Sequence, residues 1–155
     1  MSLILLHSQA DIIGQALTDL SLGSVPSYDD GTYNGGTWPV FTTNEPDLPD
    51  NCITVYDTQG RDYGRAMADG HRFEHPGIQV RVRAQTHAVG FLKARQLAEQ
   101  MDLGFLQLQV VMPDDTLYTI DELSRTSDVI PLGVDNPQTK RHLFTINAVV
   151  TVEST

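Results

Sequence analysis

The sequence of 155 residues has a single cysteine and no long hydrophobic run. One cysteine excludes a disulfide framework within the chain. The early apolar run at residues 3–6 is short and has no basic flank, so it does not have the form of a signal peptide. No stretch approaches the roughly 20 apolar residues that a membrane span needs. We therefore expect a soluble protein, made in the cytoplasm, with no membrane partner.

Basic residues are scarce as well. Ten Lys and Arg stand against 20 Asp and Glu, which gives a formal net charge of -10. A protein that grips nucleic acid through its phosphates needs a basic face, so this class is excluded. An acidic surface suits a protein that DNA must slide past, because like charges prevent adsorption.

The sequence carries no motif of a known catalytic or phosphate-binding site. It has no P-loop, no dinucleotide fingerprint and no Gly-x-Ser-x-Gly elbow. Adjacent carboxylates at residues 29–30, 114–115 and 121–122 are typical of turns and surface charge, since acid–base catalysis needs two groups that converge in a cleft. Cys52 lies in an apolar run without a basic neighbour, which predicts a small buried strand residue.

The five histidines do not form a clear metal site. His71 and His75 have a spacing that would suit a metal on a helix, but Gly70 and Pro76 bracket them and disfavour a helix. The other three, His7, His87 and His142, fall singly on different predicted elements. We expect no metal, no cofactor and no enzymatic activity.

The first half of the chain predicts one helix, two strands and two exposed loops. Apolar residues from Leu3 to Leu20 follow a helical spacing, and a second possibility starts this helix at Ser8. Pro, Gly and Asp then predict an exposed loop over residues 24–37. Short strands are expected at residues 38–43 and 53–57, joined by an extended connector at 44–51. The polar residues 58–76 predict a long exposed loop or an arm.

The second half alternates strands with one more helix. Residues 78–83 predict a half-buried strand, and the helix that follows begins at an N-cap, Thr86, and ends near Gly104. A strand at 106–110 precedes a turn at Pro113, and two final strands are expected at 124–132 and 142–152. The pattern predicts a single domain over residues 1–155 with an α+β fold: a mixed, largely antiparallel sheet of five to six strands with two main helices packed on one face.

Charged residues on the predicted arm and on the strand after it are the candidate contact surface. A long insertion in a compact domain is usually functional or disordered, and alternating arginines on a wet strand face suit an interface or a salt-bridged surface. The candidate contact residues are Arg61, Asp62, Arg65, Asp69, Arg81 and Arg83.

One segment resembles a known family. Residues 74–84, Glu-His-Pro-Gly-Ile-Gln-Val-Arg-Val-Arg-Ala, run into the amphipathic stretch 87–95, and this arrangement resembles the tail terminator proteins of long-tailed bacteriophages, also filed as minor capsid or tail completion proteins. Trp-Pro-Val at 38–40, Asn-Glu-Pro at 44–46 and Ile-Thr-Val-Tyr-Asp at 53–57 fit the same family. The similarity covers most of the chain.

The resemblance implies a virion protein at the head-proximal end of the tail, assembled in the host cytoplasm. It implies six copies in a ring on the tail tube, which stops tube growth and offers the surface that joins the tail to the head–tail connector. DNA would pass through the lumen without specific binding, and the arm would be an inter-subunit or tube contact.

Three other interpretations stay open at this stage. A head-closure or neck adaptor protein shares the size, the ring symmetry and the acidity. A small enzyme could assemble a site from Asp57, His71, His75 and His142. A monomeric binding domain would form no oligomer at any concentration.

Overall fold

The computed structural model describes residues 6–65 and 72–154, and side chains within this range except at 60–65, 72–75 and 154. Two helices are present, α1 (Gln9–Asp19) and α2 (His87–Leu103). The strands are β1 (Tyr28–Asp29), β2 (Thr32–Tyr33), β3 (Val40–Thr42), β4 (Cys52–Arg65), β5 (Arg72–Ala84), β6 (Leu108–Val111), β7 (Leu117–Arg125), β8 (Ile130–Val134) and β9 (His142–Ser154). Neither helix is long and apolar enough to cross a membrane, and the search covered the described residues.

Seven of the strands form one mixed sheet in the order β3-β4-β5-β9-β7-β6, with β8 beside β9. Among these described strands only the β3–β4 pairing is parallel, and the rest are antiparallel. Helix α1 packs against β3 and β4 near one edge and against β6 at the other edge, so the sheet is curled around it. The predicted α+β class is confirmed, with one or two more strands than expected and a separate β1–β2 hairpin.

The hydrophobic core lies between the helices and one face of the central strands. Strand alternation places Val55, Val80 and Ile146 in one row of the register, and all three are fully buried. Helix α2 covers this face with Leu97 and Met101, which are also buried. The opposite sheet face carries the alternate, mostly polar residues, as the sequence alternation predicts.

Local capping decides where both helices begin. The Ser8 side chain accepts a hydrogen bond from Asp11 N, so α1 starts at the second of the two predicted positions. Residues 3–5 of the longer alternative lie outside the described residues. Thr86 accepts from Val89 N at 3.3 Å, which confirms the predicted start of α2.

Of the loop or arm expected over residues 58–76, the loop is wrong for the described part of that segment. Strands β4 and β5 continue as a two-stranded antiparallel ribbon whose pairing reaches Arg65 opposite Arg72. The register shifts between Thr58 and Arg61, where Pro76 stands at the β-bulge. A proline without N–H is tolerated at a bulge, so this residue does not end the strand.

A glycine at the same level allows the two strands of the ribbon to approach closely. A Cβ on Gly77 would lie 2.5 Å from Thr58 Oγ1 and 2.7 Å from the carbonyl oxygen of Gln59. The Pro76-Gly77 pair therefore marks the base of an arm. We use the name "the arm" for residues 59–76, of which 66–71 are not described.

The expected single strand over residues 124–132 is also wrong. It is divided between β7, which starts at Leu117, and β8, and both run antiparallel to β9. The break falls at residues 126–129, where Thr126 N donates to the carbonyl of Asn147 and Asp128 caps its own turn through Val129 N. Asp and Ser favour such turns because their side chains bond the nearby backbone.

The predicted exposed loop over residues 24–37 contains one short element. The β1–β2 hairpin turns at Asp30 and Gly31, both with positive φ, which agrees with the turn signal read from the sequence. Tyr28 packs edge-on against Tyr33 across this hairpin at 5.3 Å.

Candidate assembly surfaces

The described part of the arm holds three of the six candidate contact residues. Arg61, Asp62 and Arg65 lie on β4 where it has left the body of the sheet, because β5 pairs with β9 only between Gly77 and Ala84. Asp69 lies outside the described residues. The arm is therefore a ribbon of two strands without a third strand among those described.

Arg83 lies at the opposite end of β5 and its side chain is only 4% exposed. Its guanidinium donates to the carbonyl oxygens of Asp47, Pro49 and Asp50, the last two at 2.7 and 3.2 Å. These carbonyls belong to the connector at residues 44–51, which crosses the polar sheet face. Arg83 therefore fastens the connector to the sheet within the subunit.

Arg81 lies on the same face and keeps more of its surface open. Its guanidinium stands over the Tyr56 ring, 5.2 Å from the centroid, and its NH1 is 3.8 Å from Glu45 Oε2. The same carboxylate oxygen lies 3.9 Å from Arg83 NH1. With 29% of its side chain exposed, Arg81 can still reach a neighbouring surface. The structure does not bring Arg81 and Arg83 together with the arm residues.

A second arginine that the sequence did not single out holds the connector from the other side. Arg141 is 5% exposed, and its Nε donates to Asp135 Oδ2 at 2.7 Å. Its terminal nitrogens reach Asp47 Oδ1 at 3.2 Å and Asp50 Oδ1 at 3.3 Å. Burial alone would raise the pKa of Asp135, but hydrogen bonds from Thr139 and Arg141 outweigh it and lower this pKa to about 2.

Arginines elsewhere in the body are also engaged. Arg125 forms a two-pronged ion pair with Asp102, with both distances at 2.8 Å, and this hydrogen bonding lowers the pKa of the aspartate. Arg95 lies 3.1 Å from Asp128. Each of the arginines whose side chains are described pairs with a carboxylate. The remaining acidic side chains therefore dominate the charge of the body.

The described residues that were considered for an enzyme site do not lie together. Asp57 Oδ1 accepts from Ala10 N at 2.9 Å at the start of α1, and His142 packs edge-on against His87 at 5.7 Å. Asp57 is opposite Ile78 and His142 is opposite Ala84, six residues further along β5, which is about 20 Å. His71 is not described, and His75 lies on the arm strand β5. Within the described residues no three His, Cys, Asp or Glu could hold a metal ion.

The family model described as "Bacteriophage tail terminator protein" matches residues 18–148. The chain belongs to the bacteriophage tail terminator family. The match runs from the end of α1 into β9, so it includes the arm, α2, strands β3 to β8 and the first half of β9. The resemblance read from the sequence is confirmed, and the chain is a phage tail protein.

The tail terminator chain is also similar to a solved structure with 20% sequence identity. The similarity covers 74% of this chain and 79% of that chain, with a TM-score of 0.41. No curated protein is significantly similar in sequence.

Sequence reasoning missed the Arg141 cluster of this tail terminator. Asp47 and Arg141 stand 94 positions apart in the chain, so no local spacing connects them. The only local signal was the Asp135-Asn136-Pro137 turn, in which Asp135 accepts from Asn136 N and Thr139 Oγ1. This pattern predicts a turn but does not identify the arginine that lies against it.

Proposed function

We propose that this tail terminator is a structural, non-enzymatic virion protein whose copies close into a ring, most simply a hexamer. The ring caps the head-proximal end of the tail tube, ends tail polymerisation and provides the surface for head–tail joining. Its partners are further copies of the chain, the tail tube protein and the head–tail connector protein. Membership of the family carries this proposal.

The arm supports a contact between subunits or with the tube. A two-stranded ribbon is marginally stable by itself, so it gains from packing on another surface. The register pairs Asp62 with Glu74 and Arg65 with Arg72, which are two pairs of like charge. Directly opposed like charges destabilise a strand pair. A partner surface that supplies opposite charges would offset this cost.

The distribution of charge supports the passage of DNA through the lumen. Between residues 58 and 76 three arginines and three acidic residues cancel, so the whole net charge of -10 rests on the remainder of the chain. In that remainder the arginines are already paired with carboxylates. A ring made from such subunits repels the phosphate backbone and does not retain the genome.

Negative-stain electron microscopy with light scattering tests the proposal. The purified chain is measured at low and high concentration, with and without tail tubes. We expect rings, or caps on the tube ends. A chain that ignores the tubes but binds the purified connector would instead identify a neck adaptor, and a monomer that binds neither would refute the ring.

A charge reversal on the arm tests its role in the same assay. We expect the double variant Arg61→Glu, Arg65→Glu to lose ring or cap formation while it stays folded, because the arm sits outside the core. The control is Lys140→Glu, in a turn of the body, which makes one such charge reversal instead of two and should assemble normally. Normal assembly by both variants would argue against the arm as a contact.

A further inference from the structure

Three uncharged segments meet at one corner of this acidic molecule. No Asp, Glu, Lys or Arg occurs in residues 84–92, 129–134 or 142–152. The first segment runs into the start of α2, the second contains β8, and the third forms most of β9. The chain has 30 charged residues, so the meeting of three uncharged segments in one place needs an explanation.

Direct contacts join the three segments into one surface. Val134 on β8 is opposite His142 on β9, and the His142 ring lies 5.7 Å from the His87 ring at the start of α2. His87 stacks against Phe91 on the next turn, with ring centroids 6.1 Å apart and an interplanar angle of 7°. The path from β8 across β9 to α2 is therefore continuous.

Much of this surface is apolar and open to solvent. Leu132 and Val134 on β8 are 48% and 47% exposed, and Phe91 and Leu92 on α2 are 44% and 72% exposed. We call these four residues the neutral patch. Val134 and Phe91 are linked through the rings of His142 and His87, and Leu132 and Leu92 stand near them in the sequence. Exposed apolar patches on soluble proteins mark interaction sites. Among the described strands β8 pairs with β9 alone, so its outer edge is free to pair with another chain.

We infer that the neutral patch receives a second copy of this chain and forms one side of the contact between neighbouring subunits. The inference rests on the proposed ring. Two copies that each carry -10 repel one another, and the repulsion is smallest where the contact surface contributes no charge. The centres of protein interfaces are also depleted of charged residues, because removing a charge from water costs free energy. In a closed ring the patch meets a different surface of the next copy.

Lysine substitutions at matched positions of α2 and β8 test the inference. Leu92→Lys and Leu132→Lys place a charge in the patch, whereas Leu103→Lys places it at the other end of α2, where the side chain is 79% exposed. Circular dichroism and thermal melting first establish that all three variants are folded. Light scattering and electron microscopy then measure assembly, with and without tail tubes. We expect the two patch variants to raise the dissociation constant for self-association about tenfold or more, because the contact would bury an unpaired charge.

Thiol labelling gives a second readout that does not depend on weakened assembly. Cys52 is fully buried, and burial raises its pKa to about 11, so we expect this thiol not to react with maleimide. Leu132→Cys should label rapidly in the monomer and slowly in rings, and Leu103→Cys should label rapidly in both.

The outcomes separate this inference from the ring itself. Rings from the wild-type chain together with normal assembly of Leu92→Lys and Leu132→Lys, or equal labelling of the Leu132→Cys variant in monomer and ring, would overturn the neutral patch and leave the ring standing. Loss of assembly in Leu103→Lys to the same degree would also overturn it. Failure of the wild-type chain to associate under every condition would overturn both proposals.

Discussion

Replacement of Arg141 by methionine tests the account of how the connector is held on the sheet. Methionine keeps much of the side-chain volume but removes every donor. The change leaves the Asp135 carboxylate without its closest cationic partner at 2.7 Å and takes a donor from the carbonyl oxygen of Asp47. Both groups then lose hydrogen bonds in a partly buried place, which is more costly than the loss of a solvated ion pair.

The expected magnitude follows from the pKa of Asp135. Its fall from 3.8 to about 2 corresponds to roughly 2 kcal/mol at neutral pH, a part of which belongs to the hydrogen bond from Thr139. The carbonyl oxygen of Asp47 also loses one of its two donors and keeps the bond from Arg83. With both effects, we expect Arg141→Met to lower the free energy of unfolding by about 2–3 kcal/mol. In a domain of this size that is a fall of roughly 5–10 °C in Tm.

The pH dependence distinguishes this mechanism from a simple packing defect. Because the folded pKa of Asp135 is lowered, its stabilisation is complete above the unfolded value of 3.8 and is lost as the pH falls through about 2. The difference between wild type and Arg141→Met should therefore shrink between pH 4 and pH 2. Denaturant unfolding at several pH values measures it. A difference that does not change with pH would refute the reasoning.

Arg95→Met is the matched control for this experiment. Arg95 also pairs with one aspartate, Asp128, but its side chain is 45% exposed and that of Asp128 is 77% exposed. An exposed pair contributes little, so we expect a change within about 0.5 kcal/mol. An equal loss in both variants would mean that burial of the Arg141 cluster has no special effect.

Two further substitutions test the packing of the helices and of the N-terminal segment. Gly90→Ala would place a Cβ 2.6 Å from Phe144 Cε2. We expect the unfolding free energy to fall by about 1–3 kcal/mol, because α2 is pushed away from the sheet. Stability like that of the wild type would show that the helix can shift freely. Tyr118→Phe removes a hydrogen bond between the hydroxyl and His7 Nδ1 at 2.9 Å and one donated by Leu6 N at 3.2 Å. We expect a cost of about 1 kcal/mol. Faster amide exchange at residues 6–8 should accompany it, and unchanged exchange would contradict the role of this hydroxyl.

The parts of the fold that the sequence predicted well are those decided by neighbouring residues. Helix α2 needs only a capping threonine, an apolar stripe and Gly104, and all three lie within its own stretch of chain. Cys52 was likewise predicted as a buried strand residue from its apolar neighbours, and it is fully buried on β4. Local signals were sufficient here because no other secondary structure suits these residues as well.

The errors occurred where local signals were weak. The polar composition of residues 58–76 favoured a loop, but the described part of this segment consists of paired strands with a bulge at Pro76. The sequence of the arm shows no hydrophobic alternation from which a strand could be predicted. The break between β7 and β8 was missed because residues on both sides of it pair with the same strand, β9, in the same direction.

Of the candidate surfaces, likewise, the sequence could predict one and not the other. Arg61, Asp62 and Arg65 could be picked out from a charged insertion, and their role in contacts stays a prediction. The neutral patch could not be found, because no window of sequence contains both Leu92 and Leu132, and it becomes visible only when β8 and α2 are placed on either side of β9.

The two proposed contacts differ in charge, so salt should affect them in opposite directions. An arm that works through its arginines makes a contact that salt screens, since the Debye length is only about 8 Å at 0.15 M ionic strength. A contact through the neutral patch gains from salt, because screening weakens the repulsion between bodies of charge -10 while the apolar burial is retained. Assembly that weakens steadily with salt therefore points to the arm as the dominant contact, and assembly that strengthens points to the patch. A ring that uses both contacts would be most stable at intermediate ionic strength, where the repulsion is screened before the arm is released.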